Sequence, residues 1–351
     1  MMLRHSVFVT GIAASCVWLA VVQPSIAETH TIYPEQFSRV FSPNKAPVLR
    51  IKPGDTVVTW TFDSGGQDKN GVRHIQHPYR YPESGNPLIG PFYVEGADYG
   101  DTLEIQLDKV RMNRNWGYTS YRLSPGILDP GMAETLYKNF YKMDALRPGT
   151  ANLIPWDLDL ERKVAVPRLL ESSGVKLEIP VRPMLGCLGV ASPGEEVQTS
   201  GPSASHGGNI DFNEIVEGVR VFFPVYHKGA YLYLGDGHAV QGDGEGLGNG
   251  VETSMDVQFT VKAYKGKRLS IPRIVNDQYL ISLASQPEFR SSMDVGVRTA
   301  NTDMLQWLTS EYKLTPPEAH LLMGTVVEHK IATYFGSIAT LIPRKYLPRS
   351  R

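Results

Sequence analysis

Cysteine is nearly absent from this chain: of 351 residues, only Cys16 and Cys187 carry a thiol. Cys16 falls in an N-terminal stretch that reads as removable. The mature chain would then keep one thiol, which excludes an intramolecular disulfide. Cys187 lies in Leu185-Gly-Cys-Leu-Gly-Val190, a setting that suits a small buried hydrophobe better than a catalytic thiol. An excess of charge of one sign is also lacking. Lys and Arg number 35 against 36 Asp and Glu, a formal net charge of −1, so nothing drives the chain electrostatically toward nucleic acid or an anionic membrane. The one extended apolar run covers residues 7–22, and with a Gly and a Thr inside it is short for a membrane span. Arg4 and His5 precede it, and Ser25-Ile-Ala27 supplies a small-x-small site after it. Residues 1–27 are therefore expected to be an export signal cleaved after Ala27. The mature chain, 28–351, is expected in the periplasm or outside the cell, free of the membrane. A nucleophile elbow, a phosphate loop, a Cys-x-x-Cys pair and a dinucleotide fingerprint are all missing.

Glycine and proline, by contrast, are plentiful at 33 and 25, which favours turn-rich β architecture over a helical bundle. Residues 46–62 alternate in the strand manner around the turn Lys52-Pro-Gly-Asp55, and residues 99–107 repeat the Gly-Asp-Thr entry to a strand. Further strands are expected at 92–95, 163–166, 175–179 and 257–263, with 219–225 and 230–234 paired as a hairpin across residues 226–229. A final strand is expected at 338–343. Ala133, Leu136, Tyr137, Phe140 and Tyr141 recur at helical spacing within 130–144. Residues 303–313 read as a short helix. A second helix begins at Thr315-Pro-Pro-Glu318, a capping box with Leu322, Val326 and Val327 on its buried face. The sum is a mainly β domain with peripheral helices and no regular β-α alternation.

Chemistry concentrates in residues 235–250, where seven of sixteen positions are glycine and Asp236, His238, Asp243 and Glu245 are threaded among them, with Glu252 just beyond. Ionised acids this close repel one another when buried, and a cation or a shared proton relieves the repulsion. Asp236 and His238 stand two apart, as do Asp243 and Glu245, so extended backbone would put each pair on one face. Imidazole together with carboxylates suits a divalent cation, zinc or calcium. A second loop, Ser205-His-Gly-Gly-Asn-Ile-Asp211, places His206 and Asp211 around glycines and Asn209. Asp63 ends a strand beside Gly65-Gly66 and reads either as a turn cap or as a further ligand.

These residues resemble the acetamidase/formamidase family of amide hydrolases. The resemblance rests on four stretches in order: Asn86-Pro-Leu-Ile-Gly-Pro-Phe-Tyr-Val-Glu-Gly-Ala97 with Gly100-Asp101, Gly189-Val-Ala-Ser-Pro-Gly-Glu195, His206-Gly-Gly-Asn-Ile-Asp211, and Tyr233-Leu-Gly-Asp-Gly-His-Ala-Val-Gln-Gly-Asp-Gly-Glu245. The helix start Leu314-Thr-Pro-Pro-Glu-Ala319 is also similar. The resemblance implies a jelly-roll-like β-sandwich core with added α/β pieces, a homo-oligomer, and hydrolysis of a small amide to carboxylate and ammonia with a metal-activated water. It implies Asp63, His206, Asp236, His238 and Asp243 as metal ligands, with Glu245, Glu252 and Asn209 as catalytic candidates. This chain departs from the family in its export signal, in an insertion at about 112–160, and in Gly237, where a bulkier residue is common. A protein that binds a metal or small ligand without turnover would use the same constellation, and so would a calcium-stabilised structural loop.

Overall fold

The computed structural model describes residues 27–76, 85–120, 123–124, 127–129, 153–169, 174–195, 197–285, 292–334 and 336–348. The expected export signal, apart from Ala27, and the expected helix at 130–144 lie outside the described residues. What is described is mainly β. A nine-stranded sheet runs in the order Thr29–Thr31, Thr56–Trp60, Met255–Tyr264, Thr102–Met112, Arg220–Pro224, Arg273–Val275, Tyr279–Ser285, Ser337–Pro343, Glu328–Thr333. A six-stranded sheet runs Ser203–Ala204, Gly207–Asn209, Met184–Gly189, Leu232–His238, Leu88–Val94, Leu49–Ile51. A smaller four-stranded sheet contains Trp116–Ser120 and Leu153–Asp159, paired antiparallel from Leu153↔Ser120 to Asp157↔Trp116. The two large sheets share the principal core. Phe92 of the six-stranded sheet meets Phe259 of the nine-stranded sheet edge to face, with ring centroids 5.3 Å apart, and both are fully buried. Each such ring contributes roughly 1.5–3 kcal/mol by leaving water.

Local chemistry explains the elements. The two Gly-Asp-Thr entries fold alike: Gly54 and Gly100 take left-handed φ values of 101° and 83°. Asp55 accepts the Lys52 amide at 2.8 Å, and Asp101 accepts the Asp98 amide at 2.8 Å. The C-terminal helix Pro316–Val326 starts as expected, with Glu318 Oε2 accepting both the Thr315 N–H and its hydroxyl at 2.7 Å. The preceding helix spans Met293–Ser310, ten residues earlier than the expected start. Its buried face begins with Gly296 and Ala300, too small to register as an apolar stripe. A Cβ on Gly296 would lie 2.7 Å from Ile338.

Two expectations are corrected. Residues 219–225 and 230–234 do not form a hairpin: Arg220–Pro224 lies in the nine-stranded sheet and Leu232–His238 in the six-stranded one. Gly229, Ala230 and Tyr231 are successively left-handed, with φ of 87°, 56° and 55°, and this run carries the chain from one sheet to the other. Of the strand expected at 175–179, only Ile179–Pro180 forms, pairing with Val164–Pro167.

Candidate active site

The Leu232–His238 strand sits inside the six-stranded sheet, flanked by Met184–Gly189 and Leu88–Val94, and is buried along its whole length. Its glycines permit that position. A Cβ at Gly235 would lie 2.3 Å from the Pro87 carbonyl, and one at Gly237 would lie 2.4 Å from Met255. The bulkier residue common after Asp236 therefore has no room here. On the neighbouring strand, a Cβ at Gly186 would fall 2.4 Å from Asp211 Oδ1 and 2.5 Å from Asp236 Oδ2. Both carboxylates rest on that one glycine.

Five buried titratable groups converge. Asp236, His238 and Glu252 form one set and Asp211, His238 and Glu245 another; within each, one ligand atom per residue lies within 4.8 Å of the others. His238 Nε2 stands 3.1 Å from Glu252 Oε1 and 3.4 Å from Asp236 Oδ1. Its Nδ1 meets Gln241 Oε1 at 2.7 Å, and Gln241 Nε2 in turn donates to the Asp211 carbonyl at 2.6 Å. Gly250 makes room for the imidazole, since a Cβ there would be 2.5 Å from the ring. Asp236 Oδ2 accepts from Asn86 Nδ2 at 2.7 Å, and the same amide group lies 2.9 Å from Asn209 Oδ1. Cys187 donates to Asn209 Oδ1 at 2.8 Å. The thiol is buried, as expected of it, yet it adjoins the acids.

Polar satisfaction is incomplete at this point. Both oxygens of Asp211, Oδ1 of Asp236, Oε2 of Glu252 and Nε2 of His238 are buried without hydrogen-bond partners. Unpaired buried groups of this kind are rare in folded proteins because each forfeits its hydration. The backbone is strained as well: Asp211, Asp236 and Glu245 take φ of 46°, 59° and 52°, three of the seven left-handed non-glycine residues among those described. Strain at ligand-binding positions is a recurrent feature of functional sites.

Burial, followed by repulsion from Glu245 and Asp236, raises the Asp211 carboxyl well above its ordinary range. Burial likewise raises Glu245 to about 8, with Asp236 and Glu252 adding to the rise and His238 opposing it. Burial raises Glu252, against the pull of His238. For His238, burial opposes the charged form, but Glu252 and Asp236 outweigh it and raise the imidazole well above its usual value. The donor set fits a divalent cation. It combines one imidazole with several carboxylates whose free oxygens point together, and a cation would satisfy them without protons.

Not every candidate named from the sequence joins the cluster. Asp63 does not: Arg114 Nη2 binds its Oδ2 at 2.8 Å and the Gln67 amide binds its Oδ1 at 2.8 Å. Both oxygens are spent in a buried ion pair, so the turn-and-anchor reading of Asp63 replaces the ligand reading. Asp243 is exposed and accepts from Asn213 at 2.7 Å. The expected sharing of a face by Asp243 and Glu245 fails because the chain turns at Gly242–Glu245, where the Glu245 amide bonds back to the Gly242 carbonyl. His206 is buried against Phe41, ring centroids 5.1 Å apart, outside both sets, with both ring nitrogens lacking a hydrogen-bond partner. Burial alone lowers it to about 4, leaving it neutral. Asp236, His238, Glu245 and Glu252 are brought together, and Asn209 borders them. Asp211, noted only as the end of a loop, belongs at the centre.

Comparison with known proteins bears on this geometry. Residues 190–332 match the sequence model of the Acetamidase/Formamidase family, a span that contains all five convergent groups. The chain is 27% identical over 254 residues to a formamidase of Methylophilus methylotrophus, covering 60% of this chain and 59% of that one. It is 27% identical over 202 residues to an acetamidase of Mycolicibacterium smegmatis, covering 45% and 48%. The chain thus spans less than two thirds of the length of these curated relatives. Among solved structures, a predicted acetamidase/formamidase from Thermoanaerobacter tengcongensis superposes with a TM-score of 0.71 at 25% identity, covering 91% of this chain and 97% of that one. An acetamidase from Yersinia enterocolitica shares the fold, with a TM-score of 0.72 at 22% identity over 94% and 96% of the two chains.

Proposed function

We propose that this chain, a relative of the acetamidase/formamidase family, hydrolyses the carbon–nitrogen bond of an amide to a carboxylate and ammonia. The observation that carries the reading is the buried surplus of acid around His238, inside the span where the family matches. Asp236, His238 and Glu252 are positioned to hold a divalent cation, zinc or calcium. When bound, such an ion acidifies water and polarises a carbonyl. Asp211 and Glu245 supply the proton traffic. Glu245, buried beside His238 and Asp211, can take a proton from the attacking water and return it to the departing amine; a positioned acid–base of this kind contributes roughly 10²–10⁴-fold. Asn86 fixes Asp236 through Oδ2 and leaves its Oδ1 free for a ligand. Gln241 orients the His238 ring so that Nε2 faces the acids.

The test is ammonia release from a panel of amides by the mature chain, with metal content measured by plasma mass spectrometry. Turnover with a stoichiometric divalent ion, lost on chelation and restored by re-addition, is the expected result. A bound ion without turnover of any amide would favour a non-catalytic binding protein instead. We also assign residues 1–27 to export, which places the enzyme in the periplasm or medium; N-terminal sequencing of secreted material starting at Glu28 checks this. Assembly as a homo-oligomer is part of the same reading, and light scattering measures it.

A further inference from the structure

Beside the acid cluster lies a cavity of about 450 Å³ lined by Ser64, Gly65, Gln67, Arg73, Trp116, Tyr118, Leu153 and Pro155. A second cavity of about 380 Å³ adjoins it and shares Gln67, Trp116 and Pro155. The cavity wall joins the acid cluster at Glu252. Tyr118 and Glu252 exchange backbone hydrogen bonds at 3.2 and 2.9 Å. Ser64 of the wall also lies within hydrogen-bonding reach of the Glu252 side chain. The cavity is within the size range of sites for drug-sized ligands, roughly 300–1,000 Å³, and far exceeds the needs of a one- or two-carbon amide.

We infer that this cavity receives a planar apolar substituent of the substrate, which makes the substrate an aryl amide. The inference rests on the amide-hydrolase reading above. Three features select an aromatic occupant. Trp116, Tyr118, Leu153 and Pro155 give the wall an apolar and aromatic face. Three polar side chains of the wall are engaged internally: the Tyr118 hydroxyl is held by Ser64 Oγ and the Gly65 amide, both at 3.0 Å, and Gln67 Nε2 donates to the Gly71 carbonyl at 3.0 Å. Lastly, the indole of Trp116 is pinned. The Arg114 guanidinium sits 3.5 Å from its centroid, held there by Asp63, by Thr253 Oγ1 at 3.0 Å and by the Asp68 carbonyl at 3.2 Å. A ring held in place before binding loses little freedom when a flat ligand packs on it. This gives the buried Asp63–Arg114 pair a purpose: it positions the indole. The walls come largely from Trp116–Ser120 and Leu153–Asp159, which belong to the insertion at about 112–160 and lie outside the residues matched by the family.

The experiment compares kcat/KM for benzamide and acetamide in the wild type, Trp116→Ala and Trp116→Phe, with calorimetric binding of benzamide as a readout independent of turnover. Benzamide is expected to be preferred roughly 10- to 100-fold. The preference falls tenfold or more in Trp116→Ala and largely returns in Trp116→Phe, with benzamide binding following the same order. Turnover of acetamide with no preference for benzamide and no Trp116-dependent binding overturns the inference and leaves the amidase reading standing. Trp116-dependent binding of benzamide with no amide hydrolysed overturns the amidase reading and keeps the cavity assignment. Neither binding nor turnover overturns both.

Discussion

Two buried charged clusters in this protein make opposite use of burial. Against the Met293–Ser310 helix, Arg273 meets Asp303 through two hydrogen bonds of 2.9 and 3.0 Å, Ser282 donates to the same carboxylate at 2.6 Å, and the guanidinium stacks over Trp307. Charge and hydrogen bonding both close. Around His238, four carboxylates share one imidazole, and five of the cluster's polar atoms make no hydrogen bond. Both clusters are almost wholly withdrawn from solvent. A balanced cluster is complete as it stands, whereas an unbalanced one needs a ligand or protons to be tolerable. The deficit, more than the presence of acids, marks the site.

Removing one cation from each cluster should separate the two roles, and this is the largest contrast available. His238→Ala is expected to lower amide turnover by at least roughly 10³-fold, since it removes the group shared by both ligand sets. Arg273→Ala leaves Asp303 buried and unpaired, which costs about 3–5 kcal/mol of stability. Its turnover per folded molecule should stay within about threefold of wild type, because it has no contact with the acids around His238. Urea titration and steady-state kinetics on both variants measure the contrast. Comparable losses of activity at matched fold content would erase the distinction between the clusters.

How far the sequence announces this arrangement depends on where each partner lies along the chain. Strand alternation and the capping box at Thr315 are local, and the mainly β character follows from them. Asp236 and His238 fall on one short strand, so their two-residue spacing places them together. Glu252 is near enough to be noticed. Asp211 comes from a loop whose approach depends on Gly186, a glycine on another strand with no chemistry of its own. Asn86 reaches Asp236 across 150 residues of sequence, and Arg114 reaches Asp63 across 51. Nothing local tells an acid destined for an arginine from one left unpaired. That is why the sequence leaves Asp63 open between a turn cap and a ligand, and the fold makes it an anchor for Arg114.

The pH dependence of stability sharpens the comparison at intermediate size. Glu245 is raised from its ordinary 4.5 to about 8. Between those values the folded, cation-free protein holds a proton that the unfolded chain has released. Its contribution is therefore fully present below about pH 4.5 and is lost as pH rises to about 8. Asp211, Glu252 and His238 are raised as well and act with the same sign. The melting temperature of the chelated protein should fall steadily from pH 5 to 8, and Glu245→Gln should flatten that slope. A saturating divalent ion should do the same by replacing the protons. A chelated wild-type protein whose melting temperature is level or rising over this range would contradict the acid surplus.

The smallest effect is expected where the sequence pattern was most misleading. Asp243 shares the glycine-rich segment with Glu245 and stands two residues from it, yet the turn at Gly242–Glu245 sends the two side chains apart. Glu245 is 7% exposed and faces the cluster; Asp243 is solvated and holds only Asn213. Water already compensates the Asp243 carboxylate, so its neutral amide counterpart restores no missing partner and removes no ligand. Asp243→Asn should therefore keep kcat/KM within about threefold of wild type and leave metal content unchanged, while Glu245→Gln lowers turnover by roughly 10²-fold or more. Kinetics and metal analysis on this pair would test whether burial, and not membership of the acidic segment, decides which carboxylates work. A large loss in Asp243→Asn would place the working site on the outer side of the loop and undo the assignment of Glu245.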